Sequence, residues 1–198
     1  MRNLLKSNNT IALIAPSPAF KTGEETGTLF SAVQNSSYSF QMGRASSRQI
    51  GSKKLQVNDI NRHPDVDLTI NYLMSPAMYN EQSMGLNFSV GKNYVPTGWF
   101  EGMDDKSYNF YFYNHPEQGA DAIEYFQSAD LSIPNSGEVI GIGNAYLNSY
   151  SISFKNGGIP AVVGNYKGSN IEGSLYTGDV KSPAINLQSG NALGVGSI

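Results

Sequence analysis

A length of 198 residues suits one domain, since single domains run to roughly 50–250 residues, and a compact fold of that size needs no covalent staples. The chain has no cysteine, which excludes a disulfide framework and a thiolate metal site. Charged residues make up only 15%, with a net charge of −3, so the basic footprint of a general nucleic-acid binder is missing. Glycine at 21, tyrosine at 12 and phenylalanine at 9 against one tryptophan, with many Ser and Asn, predict strands joined by turns and hence an all-β chain.

The N-terminus, "MRNLLKSNNTIALIAPSPAF", starts basic, but its apolar run Ile11–Ala15 is shorter than the about 7–15 residues of a signal-peptide core. No segment approaches the roughly 20 apolar residues of a membrane span. "NNTIALIAPSP" reads as a short strand closed by two prolines, which remove backbone donors. "GTLFSAVQ" and "SSYSFQMG" follow as two strands. In the second, Tyr38, Phe40 and Met42 share a side predicted to be buried, against Ser37, Ser39 and Gln41. "RASSRQIGSKK" holds four of the 13 Lys and Arg residues (Arg44, Arg48, Lys53 and Lys54) and is predicted to be a polar loop or an extended hairpin. "PDVDLTINYL" alternates strictly and places Val66, Leu68, Ile70 and Tyr72 toward a core. "MGLNFSV" resembles another strand, and "GKNYVPTGWFEGMDDKS" is predicted to be a long loop. "YNFYFYN" is an aromatic strand with Tyr108, Phe110 and Phe112 on one face.

One helix is predicted, over 115–130, where Pro116 suits the first turn, Glu117 and Asp121 sit near the positive end, and Ala122, Ile123 and Phe126 form an apolar stripe. "GEVIGIGNAYL", "NSYSISFK" and "IPAVVGNYKG" read as three more strands, the last two joined by a turn at "KNGG". The whole chain, 1–198, is read as one domain. Residues 1–30 form its N-terminal arm and first strand, and the Gly-, Ser- and Asn-rich stretch 168–198 a C-terminal arm or linker.

His63, Asp65 and Asp67 recur two apart on one strand face, with like-face neighbours about 6.6–6.8 Å apart. A metal or acid–base site needs such side chains to lean together and recruit further ligands. The only other histidine, His115, follows a different strand. The plainer reading is a wet strand face whose carboxylates deter edge-on aggregation. "GIGNAY" shares two glycines with G-x-G-x-x-G, but Tyr146 stands at the third position and a strand pattern follows, so phosphate finds no helix N-terminus. Gly141 and Gly143 instead mark a bulge or a close backbone approach. With no cysteine nucleophile and no G-x-S-x-G, the chain is expected to be no enzyme and to carry no cofactor or metal. The run Arg44, Arg48, Lys53 and Lys54 is either a solvated loop or an inter-subunit contact with acidic surfaces such as Asp65, Asp67, Asp104 and Asp105. Four charges alone make only a small, salt-sensitive nucleic-acid contact.

The order of "SSYSFQMGRASSRQIGSKKLQVNDINRHPDVDLTINYLM", "NFYFYNHPEQGADAIEY", "VIGIGNAYLNSYSISFKNGGIPAVVGNYKGSNIEG" and "SPAIN" resembles virion structural proteins of tailed bacteriophages, of the tail-tube type, over about residues 30–186. The resemblance implies a β-sandwich or β-barrel flanked by one helix, with an extended loop and terminal arms. It further implies homo-hexameric rings stacked into a tube through which DNA passes transiently. Its partners would be copies of itself and other tail proteins (tape measure, terminator and distal tail). Its place would be the virion after assembly in the host cytoplasm, away from membranes. In that setting Arg44, Arg48, Lys53 and Lys54 bridge subunits, and Asp65, Asp67, Asp104 and Asp105 form an acidic wall at the lumen or an interface. Members of the group often continue past "SPAIN", so the resemblance implies a chain that stops early here. The alternatives are another ring-forming virion part (distal tail, baseplate, terminator or connector), a carbohydrate-binding surface β-sandwich using Tyr94, Trp99 and Tyr113, and a metal hydrolase using His63, Asp65 and Asp67.

Overall fold

The computed structural model describes residues 10–17, 28–47, 57–60, 63–75, 79–84, 107–114 and 136–177. The strands are β1 (Thr10–Ser17), β2 (Thr28–Leu29), β3 (Val33–Gln41), β4 (Arg44–Ser47), β5 (Val57–Ile60), β6 (Asp65–Leu73), β7 (Ser107–Asn114), β8 (Ser136–Ser153), β9 (Ala161–Gly168) and β10 (Asn170–Thr177). Among the described residues a single short helix, α1 (Tyr79–Ser83), lies between β6 and β7. All pairings are antiparallel, in the order β2-β1-β7-β8-β9-β6-β3, with β10 also on β8.

The architecture turns on β8. "GEVIGIGNAYL" and "NSYSISFK", expected as two strands, form one strand of 18 residues. Its first half lies between β7 and β10, and its second half pairs with β9. Partners run Ser153↔Ala161, Tyr146↔Lys167, Gly143↔Asn170 and Ser136↔Thr177, so β8 and the continuous β9–β10 return make one long hairpin. Two irregularities bend it. Asn144 takes φ 51°, which Asn tolerates better than most residues, and its N–H donates to the buried Asn109 Oδ1 (3.2 Å). The register then slips between Leu147 and Ser149. Each bulge shifts the inward parity by one, so Ile142, Ala145, Leu147, Tyr150 and Ile152 all reach the same core while the strand crosses between two sheets. The bend at Asn144 thus falls next to Gly143, which with Gly141 is expected from the sequence to mark a bulge or a close backbone approach.

The result is a sandwich. Sheet A holds β2, β1, β7, the first half of β8, and β10. Sheet B holds β3, β6, β9 and the second half of β8. Phe110 of sheet A meets Tyr166 of sheet B edge-on (ring centroids 4.6 Å), and Phe30 meets Tyr72 in the same way (5.0 Å). In β6 the expected alternation holds: Val66, Leu68, Ile70 and Tyr72 are buried while Asp65 and Asp67 are exposed. In β7 every residue from Ser107 to Tyr113 is buried, because sheet A is covered on both faces. Tyr108, Phe110 and Phe112 enter the inter-sheet core, and Tyr111 and Tyr113 join Ile11, Leu13, Ala15 and Val139 in a second apolar cluster.

Some expectations change. "GTLFSAVQ" is broken by a turn at Ser31–Ala32, where Ala32 has φ 56°, so β3 starts at Val33 and absorbs the next predicted strand. Residues 170–177, assigned by composition to an arm, form a full strand of sheet A. The helix expected over 115–130 and the strand at "MGLNFSV" after Met84 lie outside the described residues. The turn at "KNGG" is present: Gly157 takes φ +72° and the Gly158 N–H donates to the Lys155 carbonyl (3.0 Å). No helix among the described residues is long and apolar enough to cross a membrane.

Candidate functional site: the margins and outer face of a four-stranded sheet

Strand pairing satisfies backbone donors and acceptors only between neighbours, so a sheet's outermost strands keep one row of groups free. Among the described residues of sheet B these are β3 on one side and residues 146–153 of β8 on the other. β7 covers β8 only from Glu138 to Ala145, and beyond that point this margin has no strand partner among the described residues.

The β3 margin is apolar where it should be wet. Tyr38 stands across from Leu68 and Phe40 across from Val66, so both side chains share the core-facing side. They are nevertheless 42% and 48% exposed, which corrects the expectation that they would be buried. Alternation tells which face a residue joins, and β3 extends past the cover that sheet A provides. The opposite margin repeats this in milder form, with Leu147, Tyr150 and Ile152 only partly buried against the core. A long edge strand with exposed aromatics and no Pro or Lys along it is a pairing surface.

Beyond β3 the hairpin continues. β4 and β5 pair antiparallel (Arg44↔Ile60 through Ser47↔Val57), as an outward extension of the β3–β6 hairpin. The start of the polar segment, 44–47, is therefore a strand of that ribbon, and the rest of the segment lies outside the described residues. Arg44 is in β4, while Arg48, Lys53 and Lys54 lie outside the described residues. Two-stranded ribbons are marginal alone in water, so this one needs support from elsewhere.

The solvent face of sheet B is largely hydroxyl and amide, with the exposed Tyr146 across from Lys167. Thr69 Oγ1 donates to Asn165 Oδ1 (2.7 Å), and Asn165 Nδ2 donates to Ser149 Oγ (2.8 Å), which links three strands. Ser37 and Ser39 extend the row on β3 and Ser151 on β8. Of the predicted acidic wall, Asp65 and Asp67 are exposed on this face, but Asp67 Oδ1 is 3.6 Å from Lys167 Nζ; Asp104 and Asp105 lie outside the described residues. His63 is exposed ahead of β6, and among the described residues no three His, Cys, Asp or Glu side chains converge as a metal set would. Tyr113, a candidate glycan platform, is 1% exposed within sheet A and out of reach of a sugar; Tyr94 and Trp99 lie outside the described residues.

At the core face of sheet B sits a polar cluster that the sequence did not disclose. α1 presents Asn80 to the β2–β3 turn, where Oδ1 accepts from the Ser31 N–H (2.8 Å) and Nδ2 donates to the Ser31 carbonyl (2.7 Å). The next residue, Glu81, is fully buried, and its Oε1 accepts from Tyr72 (2.7 Å) and Tyr150 (2.9 Å). The Tyr108 hydroxyl donates to the Met84 carbonyl and the Tyr166 hydroxyl to the Met84 sulfur. Burial, above all, pushes the Tyr72, Tyr108, Tyr150 and Tyr166 hydroxyls above the usual phenol range, and hydrogen bonding to Glu81 and Tyr150 adds to it for Tyr72. These groups stay neutral and lock the helix between the sheets. The twelve tyrosines were the available signal, because a buried phenol needs a polar partner.

No protein-family model and no curated protein matches the chain. Solved structures do. The SPP1 tail tube matches with a TM-score of 0.55 at 10% identity, covering 94% of this chain and 88% of that one. The baseplate of the anti-feeding prophage follows at TM-score 0.49 and 7% identity, covering 88% of this chain and 97% of that one. That prophage's tube-terminating cap matches at TM-score 0.49 and 9% identity, covering 89% of this chain and 94% of the cap. At 10% identity the likeness to the SPP1 tail tube is one of fold: this chain is an antiparallel β-sandwich, with one short helix among its described residues, built like that phage tail tube protein.

Proposed function

We propose that this chain is a non-enzymatic structural subunit of a phage-type tail tube, which self-assembles through the two open edges of sheet B into rings that stack around a DNA-conducting channel. One observation carries this reading: the two margins that no described strand covers lie on opposite sides of one four-stranded sheet and have opposite strand directions. Going across, β3, β6, β9 and the second half of β8 alternate in direction, so β3 of one copy fits antiparallel beside β8 of the next. Such a contact joins two different surfaces of the same protein, and a heterologous contact closes into a ring when its rotation divides a full turn. Tyr38 and Phe40 would lose their exposure at that seam.

The β4–β5 ribbon and its basic continuation, Arg44, Arg48, Lys53 and Lys54, suit contacts between stacked rings, since the ribbon projects beyond the end of sheet B. Six copies per ring, as the sequence resemblance implies, and other tail proteins at the tube's ends complete the reading, with the virion as its location. Electron microscopy of the purified chain tests it. Long hollow tubes are the expected product. Single rings would favour a connector or terminator, and a persistent monomer would overturn both.

A further inference from the structure

The solvent face of sheet B carries a charge arrangement that folding does not need. Among its described residues the charged side chains are Asp65, Asp67 and Lys167. The register sets Lys167 between Asp67 on β6 and Tyr146 on β8, so Asp67 is the carboxylate directly facing it. The Lys167–Asp67 pair, at 3.6 Å, is wet, with side chains 66% and 65% exposed, and pairs of that kind add little to stability. What the pair does is cancel charge. At physiological salt, beyond a screening length of about 8 Å, it acts as a dipole and not as a cation. Tyr146, half exposed, stands on the other side of Lys167, and the next side chains, Thr69, Asn165 and Ser149, are hydroxyls and an amide already linked to one another.

The direction this face looks follows from the tube reading. Sheet A and α1 cover the other face of sheet B, and only the outside of a closed barrel has room for a second layer. The hydroxylic face then looks toward the axis. We propose that Asp67 is a built-in counter-ion that masks Lys167 from a polyanion moving past this face. The orientation rests on the tube reading, whereas the masking is a property of the single chain. Unmasked, Lys167 repeats around and along the channel as rows of bare ammonium groups. Each phosphate it engages adds a binding term that changes about 3.5-fold between 50 and 200 mM salt.

The test uses a fluorescent 20-base-pair DNA duplex with wild type, D67N, K167Q and D67N/K167Q, on the free chain by anisotropy and on assembled tubes by co-sedimentation. D67N is expected to bind about threefold tighter than wild type as a free chain at 50 mM salt, and its tubes to retain duplex that wild-type tubes release. The gain should shrink at 200 mM salt and vanish in D67N/K167Q. Binding by D67N no tighter than wild type, or equal retention by D67N and D67N/K167Q, would overturn the masking role. A D67N gain in a free chain that never forms tubes would uphold the masking and overturn the tube reading.

Discussion

Glu81 is fully buried and held by two phenol hydroxyls, so its removal is costly in a way its surroundings define. E81A takes away the carboxylate to which the buried Tyr72 hydroxyl and the partly buried Tyr150 hydroxyl both donate, and a buried polar group that loses its acceptor costs about 1–3 kcal/mol. A loss of about 2–4 kcal/mol is expected for E81A in urea unfolding, and about 1 kcal/mol for E81Q, which keeps an acceptor oxygen. A loss below about 1 kcal/mol for E81A would mean that water takes the carboxylate's place. The same cluster sets the alkaline limit. Tyr72, Tyr108 and Tyr166 have folded pKa values raised above the model-compound value of 10.0, chiefly by burial. Below pH 10 neither state ionises them and their contribution is intact. Above it the unfolded chain releases protons that the folded chain keeps, so stability falls with rising pH, by up to about 1.4 kcal/mol per pH unit for each tyrosine. Urea midpoints followed by circular dichroism should hold flat between pH 7 and 9 and drop steeply beyond 10. Y166F should make that drop shallower.

Strands were legible in the sequence to the extent that their neighbours lie in one layer. β6 reads correctly from "DVDLTINYL" because one side meets a core and the other meets water. The alternation of β7 is real, but burial on both sides hides it, since Tyr111 and Tyr113 fill a second cluster. β8 could not be read as one strand, because its bend depends on Asn109 of another element and on the tight corner at Gly168. A Cβ at Gly168 would stand 3.0 Å from Ile142 Cγ2 and 3.2 Å from the Gly143 carbonyl oxygen, and backbone there cannot give way cheaply. G168A is therefore expected to cost about 1–3 kcal/mol, the usual range for overpacking, in the same urea assay. G157A, at φ +72° in an open turn, should cost about 1–2 kcal/mol from left-handed backbone strain alone. α1 gave no periodic signal: five residues, "YNEQS", bury Asn80 and Glu81 and leave Tyr79 63% exposed, the reverse of an apolar stripe. The β3 margin separates folding from assembly. F40K places a charge where the side chain is already about half exposed, so the free chain should unfold within about 1 kcal/mol of wild type, the range expected for surface substitutions. Tube formation by the same variant should fail at the open edge, as scored by electron microscopy.

At the scale of the molecule, composition and segment order indicated an all-β, tube-like chain, but not which surfaces remain unpaired. That depends on long-range pairing: among the described residues β3 is the last strand of sheet B on its side, and β7 covers β8 only as far as Ala145. Nor did the sequence show that Asp67 faces a cation on that surface, since Lys167 is 100 positions from Asp67 in the chain and adjacent in the sheet. Closure of these edges makes a claim about inside and outside that a single added thiol can read, because the chain has no cysteine of its own. Ser151 is exposed on the hydroxylic face of sheet B, and Glu138 is exposed in sheet A. In tubes of S151C, a small maleimide should label every subunit, while maleimide carried on streptavidin, too bulky for a narrow channel, should reach only the ends. Tubes of E138C should take both reagents along their whole length. Uniform labelling of S151C by the bulky reagent would show that the sandwich closes with sheet A inward, which would require the five-stranded layer to occupy the smaller circumference.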